Sequence, residues 1–305
     1  MDLRKLKIVK MNKKEKQNGA RFKCEACGAK MRNWRISKKD VLIVCDNCNH
    51  IKRDISLSNC NAREQTFGGN TILDYLRCKL TVSRLKSYIK KASLKEPLSI
   101  LEIGFGTGNI LKHFLKCGYN CCGIEADKSK AGYNLITKEE ANLYFRKAEN
   151  IDFGNNFDLI YAIHVVEHFG NPQLIFNKCF DVMKENGLLY FVTPNGQSMS
   201  LKIFKNKWWN LEDPTHIRFF SEKSITHMLK VAGFSDIRVS SLRLDSLTVE
   251  ASSIFRFFGK SSKKGALQKP LGLLFSLFFL PLIILFRFLI PNLSPSMEIS
   301  AVKKS

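Results

Sequence analysis

Between residues 97 and 241 the chain keeps one alternation, in which apolar runs of strand length are followed by stretches of helical periodicity. PLSILEIG (97–104), NCCGIEAD (120–127), NLYFRKAE (142–149), FDLIYAIHV (157–165), GLLYFVTP (187–194) and FSDIRVSS (234–241) supply the strands. Helices are predicted from about Asn109 to Cys117, from Pro172 to Lys184, and from Ser221 to Val231, the last with Gly233 after its end. Runs apolar along their whole length suit strands buried on both faces. Alternating strand and helix therefore predicts an α/β domain with a parallel sheet covered by helices on both sides.

Composition sets outer bounds. The chain has 305 residues, 45% hydrophobic and 25% charged, which excludes wholesale disorder and fibrous repeats. Lys and Arg number 49 against 27 Asp and Glu, a formal charge of +22. Such a surplus points either to phosphate on nucleic acid or membrane, or to a general compositional bias. Ten cysteines are too sparse for a disulfide scaffold, and the first thirty residues hold no apolar signal core. The expected location is the cytoplasm, in association with the inner face of the membrane.

Five segments are expected: a basic lead-in (1–20), a zinc ribbon (21–60), the α/β domain (66–250), an apolar helical insertion (251–295) and a closing strand (296–305). Ile72, Leu73, Leu76, Leu80, Leu85 and Ile89 give residues 66–93 the pattern of one or two amphipathic helices. In the second segment, FKCEACGAK and VCDNCNH place Cys24, Cys27, Cys45 and Cys48 as two C-x-x-C pairs separated by 17 residues. Each pair can turn two thiolates onto one tetrahedral ion, and a closed set of four sulfurs makes that zinc structural. The VLIV run with Trp34 and Ile36 suits a hairpin over the metal. Cys121 and Cys122, within a buried strand, read as core thiols.

LEIGFGTGN follows a strand and opens a helix, which is where open α/β sheets bind ligands. Its G-x-G-x-G spacing departs from the dinucleotide fingerprint. The flanking charges discriminate better. Glu102 immediately precedes the loop and would repel a pyrophosphate, but it suits an ammonium. Glu125 ends the next strand, where a carboxylate can accept both ribose hydroxyls. S-adenosylmethionine carries an ammonium, a sulfonium and a ribose but no phosphate, and it fits both carboxylates.

Together LEIGFGTGN, GIEAD, KAEN, FDLIYAIHVVEHF and LLYFVTPN resemble, in order and spacing, the class I S-adenosylmethionine-dependent methyltransferases, over about residues 70–245 plus the final strand. The resemblance implies a Rossmann-like sheet of seven strands whose last runs antiparallel. It places Glu102 near the methionine amino group, and Gly104, Phe105, Gly106 and Gly108 against the cofactor. Glu125 comes at the ribose with Ala126 also in the cofactor site, Ala148 and Glu149 at the adenine, and His164 at the pocket's closing edge.

Methyl transfer needs an aligned nucleophile and a destination for its proton. Glu167 and His168 in HVVEHF, and His216 in the loop EDPTHIRFF, are the catalytic candidates. The loop resembles the substrate-side loop of the same methyltransferases. Three roles stay open for these residues: general base, divalent-metal ligand, or structural support of the loop. A subset of the family holds a metal through E-x-x-E-H, and His164 replaces the first Glu here. Trp208 and Trp209 either wall the acceptor pocket, touch lipid, or pack internally.

Residues 271–290 are almost wholly apolar, with Arg287 the one charge, and Lys260, Lys263, Lys264 and Lys269 precede them. The length could span a bilayer. Pro281 should break or kink a helix, and a strand returning to the sheet would put both ends on one side. Peripheral, monotopic contact with an anionic membrane is therefore expected. The function expected is methylation of a small-molecule, sugar or lipid-linked acceptor at the membrane face. The alternatives are an RNA methyltransferase using the ribbon and basic surface for nucleic acid, and a non-catalytic zinc-binding scaffold.

Overall fold

The computed structural model describes residues 23–35, 41–54, 71–126, 141–154, 157–257 and 270–304. The basic lead-in, Ile36, and Lys260, Lys263, Lys264 and Lys269 lie outside the described residues.

A small antiparallel sheet comes first, from β1 (Met31–Arg35), β2 (Val41–Cys45) and β3 (Ile51–Arg53). Helix α1 (Thr71–Lys91) is one element, and it leads into β4 (Ser99–Ile103), α2 (Asn109–Lys116), β5 (Asn120–Ile124) and β6 (Asn142–Tyr144). The second half runs through β7 (Phe157–Ile163), α3 (Pro172–Val182), β8 (Met183–Pro194), α4 (Met199–Phe204) and β9 (Arg218–Phe219). It closes with α5 (Glu222–Val231), β10 (Ser235–Ser241), α6 (Val249–Phe257), α7 (Pro270–Leu289) and β11 (Ser296–Val302).

The large sheet has seven strands in the order β10-β11-β8-β7-β4-β5-β6. β11 is antiparallel to both of its neighbours, pairing Ser296 with Pro194 and Val302 with Leu188 on one side, and Val239 with Ile299 on the other. The pairs β4–β5, β4–β7, β5–β6 and β7–β8 are parallel. Strand alternation sorts the core into two faces. Ile100, Leu159, Tyr161 and Tyr190 pack with Leu85 and Ile89 of α1 and Leu111 and Phe114 of α2. Leu101, Ile160, Ala162 and Phe191 face Ile175 and Phe176 of α3 and Ile225 and Met228 of α5.

The four-cysteine module is joined to this domain by main-chain pairing. β3 pairs with β9, matching Ile51 with Phe219 and Lys52 with Arg218, so β9 completes the small sheet. Phe220 also bridges to Asn195 just beyond β8. Trp208 is fully buried against Phe219 in a cluster with Leu42 and Val44, so internal packing accounts for it.

Of the break or kink expected at Pro281, the break does not occur, and α7 continues as a helix across that residue. Proline removes one donor and crowds one carbonyl, while the Leu, Ile and Phe residues on either side keep their own bonds. No helix among the described residues is long and apolar enough to cross a membrane.

Candidate functional site

Strand order reverses between β4 and β7, because the chain adds β5 and β6 on one side of β4 and β7 and β8 on the other. The loop after β4 therefore opens beside the end of β7, at the crevice where such sheets bind ligands. Gly104 has φ +73°, and its N–H donates to the Ile124 carbonyl at 2.7 Å. A β-carbon at Gly104 would come 2.4 Å from Cγ2 of Val165, whereas one at Gly106 would meet nothing within 4 Å. The loop is thus pressed onto the end of β7 on one side and open on the other. Gly108 follows in left-handed conformation as the cap of α2.

Both carboxylates sit at this crevice. Glu102 is 4% exposed and accepts a 2.8 Å hydrogen bond from the Tyr161 hydroxyl. Burial pushes its pKa up to about 8 against the opposing effect of that bond. Glu125 accepts the Gly106 N–H at 3.1 Å and is followed by exposed Ala126. Phe105 is buried edge-on to Phe145. Ala148 is buried in a 3₁₀ turn, and the Glu149 carboxylate beside it accepts the Gly170 N–H at 2.9 Å.

His164, Glu167, His168 and His216 converge just beyond β7. His164 has φ +56°, an unusual conformation for a non-glycine residue. Its Nε2 lies 2.9 Å from Oδ2 of buried Asp245, and its Nδ1 lies 3.6 Å from Oε1 of Glu167. Burial opposes charge on His164, but Asp245 and Glu167 outweigh it and raise the pKa to about 9. Glu167 is buried and accepts the Thr193 hydroxyl at 3.0 Å. Burial acts to raise its pKa, yet His164 beside it and the other nearby imidazoles hold it down to about 2.

The other two rings face each other at 4.8 Å. Nδ1 of His168 is 2.9 Å from the Thr215 carbonyl, and Nδ1 of His216 is 2.7 Å from the Asn210 carbonyl. A carbonyl only accepts, so each Nδ1 carries a proton, and Nε2 is the ring atom left to face the cluster. Nε2 of His216 stands 3.9 Å from Oε1 of Glu167. Burial, then the nearby His168, lower the pKa of His216 to about 4. Ligand atoms of Glu167, His168 and His216 all lie within 4.8 Å of one another, and Oε1 of Glu167 is buried without a hydrogen-bond donor. The sequence singled out all these residues except Asp245. That residue lies 81 positions from His164, and no spacing rule relates the two.

The cysteine sulfurs form a second cluster. Sγ of Cys24 is 3.6 Å from that of Cys48, Sγ of Cys27 is 3.5 Å from that of Cys45, and all four lie within 4.8 Å of one another. Sulfurs at ~2.3 Å around a tetrahedral ion would be ~3.8 Å apart, so the four fit such an ion. Both knuckles close alike: Gly28 N–H donates to the Cys24 carbonyl and Asn49 N–H to the Cys45 carbonyl, with Gly28 and Asn49 both at positive φ.

A Rossmann-like sheet with a glycine loop at its switch point is the architecture of a nucleoside-cofactor-binding domain, here flanked by a His/Glu cluster. More narrowly, residues 76–239 match the family described as Methyltransferase domain, more than half of the chain, and the protein belongs to that family. A ubiquinone biosynthesis O-methyltransferase from Nitrobacter winogradskyi is 28% identical over 102 residues, 32% of this chain and 39% of the relative. An (S)-coclaurine N-methyltransferase from Papaver somniferum is 28% identical over 118 residues, 36% of this chain and 33% of the relative. The chain thus spans well under half the length of these curated relatives. Among solved structures, the plantazolicin methyltransferase BamL, in complex with a triazolic desmethylPZN analog and SAH, aligns with a TM-score of 0.50 at 17% identity. That alignment covers 75% of this chain and 85% of the other, and it shows the shared fold.

Proposed function

We propose that the protein transfers a methyl group from S-adenosylmethionine to a small-molecule, sugar or lipid-linked acceptor, with zinc held structurally by Cys24, Cys27, Cys45 and Cys48. The observation that carries this reading is the glycine loop at the sheet's switch point with two carboxylates beside it, in a chain of the methyltransferase domain family. S-adenosylmethionine supplies an electrophilic methyl on a sulfonium. Glu102 meets its ammonium, Glu125 its ribose, and the open side of Gly106 gives it room to lie against backbone. Ala148 and Glu149 border the adenine, and His164, fixed by Asp245, closes the pocket.

At the acceptor, a lone pair forms the new bond to the methyl carbon as the carbon–sulfur bond breaks, and the acceptor's proton must go elsewhere. The His168–His216 pair receives it at Nε2. The Glu167 carboxylate, ionised and buried, offsets the charge of the imidazolium that forms. A divalent metal at Glu167, His168 and His216 is the second reading. It is favoured by their mutual reach and by the donorless Oε1 of Glu167. His164 is engaged with Asp245 and stands outside that set. Two imidazoles and a carboxylate suit a borderline metal better than magnesium.

The acceptor's membrane setting is supported by α7. Leu274, Leu277, Phe278, Leu282, Leu285, Phe288 and Leu289 are exposed, Phe278 at 79%, and in sequence four lysines precede the helix. α7 is held to α6 through Phe275 on Phe255 and Arg287 on Glu250, so the helix suits lying along a lipid surface. One experiment tests these readings together: labelled S-adenosylmethionine is incubated with the protein and separate lipid, glycan and RNA extracts. Label is expected in lipid or glycan. Label in RNA would instead favour nucleic acid as substrate, and no label together with no S-adenosylmethionine binding by calorimetry would leave a non-catalytic scaffold. His168→Ala and His216→Ala are each expected to lower turnover by about 10²-fold or more. Unchanged turnover in both would eliminate base and metal alike, while loss restored by added divalent ion would select the metal.

A further inference from the structure

The four-cysteine module does more than sit beside the domain, because two buried arginines run from it into both walls of the histidine cluster. Arg53, at the end of β3, is 3% exposed. Its Nε donates to the His216 carbonyl at 3.1 Å, and its Nη2 donates to the Leu211 carbonyl at 3.1 Å and the Asp213 carbonyl at 3.4 Å. Its backbone N–H donates to the Ile217 carbonyl at 2.8 Å. One residue of the module thus gathers four carbonyls of the loop that carries His216.

Arg218 makes the second connection. It is 1% exposed and donates to both oxygens of Glu25, which lies between Cys24 and Cys27 in the first knuckle. The same guanidinium donates to the carbonyls of Phe169 and Gly170, directly after His168. His50, two residues beyond Cys48, shares Glu25 at 3.0 Å, and the Ser221 hydroxyl donates to the Cys48 carbonyl. The glycine loop, by contrast, is held from within the large sheet through Ile124, Tyr161 and Val165.

We propose that the four-cysteine module positions the acceptor-side histidines through Arg53 and Arg218, so that loading its metal assembles the acceptor half of the site, while the glycine loop keeps its form without it. The physical basis is the size of the module. Three short strands bury too little apolar surface to hold two knuckles without a metal. If the knuckles open, Glu25 leaves Arg218 and β3 leaves β9. Two buried guanidiniums then lose fixed partners, and the loop that carries His216 gains freedom. Arg53 and Arg218 are positioning residues here, since neither reaches the reacting atoms. The inference rests on reading the cysteines as a metal site and the histidine loop as the acceptor side.

The test uses the full chain, zinc-loaded and chelator-stripped, followed by amide hydrogen exchange, the imidazole NMR signals of His168 and His216, and calorimetry with S-adenosylmethionine. Stripping is expected to speed exchange by about tenfold or more across 209–219 and 166–170 while β4, β5 and β7 hold. Both imidazole signals should shift, while S-adenosylmethionine still binds, its affinity lowered by no more than about tenfold through the Glu149–Gly170 contact. Arg53→Gln should loosen 209–217 in the same way at full zinc content, and Arg53→Lys should recover part of the protection. The proposal is overturned if the stripped protein keeps its protection, if the whole sheet loosens in parallel, if Arg53→Gln leaves the loop unchanged, or if the chain binds no zinc. Failure of the loaded protein to bind S-adenosylmethionine would sink the functional reading, while the exchange pattern would still decide the coupling.

Discussion

Glu102 illustrates how one buried carboxyl links pH, stability and ligand. Its pKa is raised to about 8 because burial withdraws water and the Tyr161 hydroxyl only partly replaces it. From the ordinary carboxyl range up to about 8, the folded protein keeps a proton that the unfolded chain has lost, so Glu102 costs stability progressively as pH rises through that window. An ammonium bound there would favour the ionised form. S-adenosylmethionine binding at pH 7 is therefore expected to release a proton, read as a heat that differs between buffers of low and high ionisation enthalpy. Glu102→Gln should abolish the difference and weaken binding by about tenfold or more. Equal heats in the two buffers with the native protein would refute the ammonium assignment. Glu102 itself was legible in the sequence because it adjoins the glycine loop; its burial was not, since Tyr161 comes from a different strand.

At the scale of elements, α7 shows how a single charge anchors an apolar helix. Arg287 is fully buried, and it donates to both carboxylate oxygens of Glu250 in α6. It also donates to the carbonyls of Arg243, Asp245 and Ser246. The charge that interrupts an apolar run thus faces protein, while the leucines and phenylalanines of other faces stay exposed. Removing one member of a buried, hydrogen-bonded ion pair leaves its partner uncompensated, at a cost of about 3–5 kcal/mol. Arg287→Ala is expected to destabilise the protein by that order in denaturant titration, whereas Arg287→Met combined with Glu250→Leu should lose clearly less. Equal losses in the two proteins would show that the ion pair is not what anchors the helix. Because the same guanidinium holds the Asp245 carbonyl, the single variant should also disturb the His164 environment. The apolar stretch and the single Arg were plain in the sequence, but which way Arg287 faces depended on Glu250, 37 residues away.

At the scale of the whole molecule, closure depends on the last strand. β11 fills the gap between β8 and β10 and buries Met297, Ile299 and Ala301. Without it, two strands would face each other with unpaired edges, and the core cluster that Met297, Ile299 and Ala301 join would open at that side. A chain ending at Ser294 is accordingly expected to lose cooperative thermal unfolding and to aggregate. A sharp transition at an unchanged temperature would show that the sheet closes without β11. The same return strand keeps the C-terminal end of α7 with the domain.

Several features were determined by local sequence. Strand-length apolar runs alternating with helices dictate a parallel sheet, a strand–glycine–helix junction dictates a backbone-lined crevice, and paired C-x-x-C turns dictate a knuckle geometry. Each depends on residues a few positions apart, where covalent spacing alone limits the outcomes. Only the tertiary structure decided that β9 would complete the sheet of the four-cysteine module. The same holds for Arg53 and Arg218 gathering the loop around His216, and for Asp245 fixing His164. Those contacts join residues 49 to 193 positions apart, and nothing in local spacing encodes them. They arise because buried guanidiniums, carboxylates and carbonyls must find partners inside the fold, and which partners are within reach is set by how the elements pack.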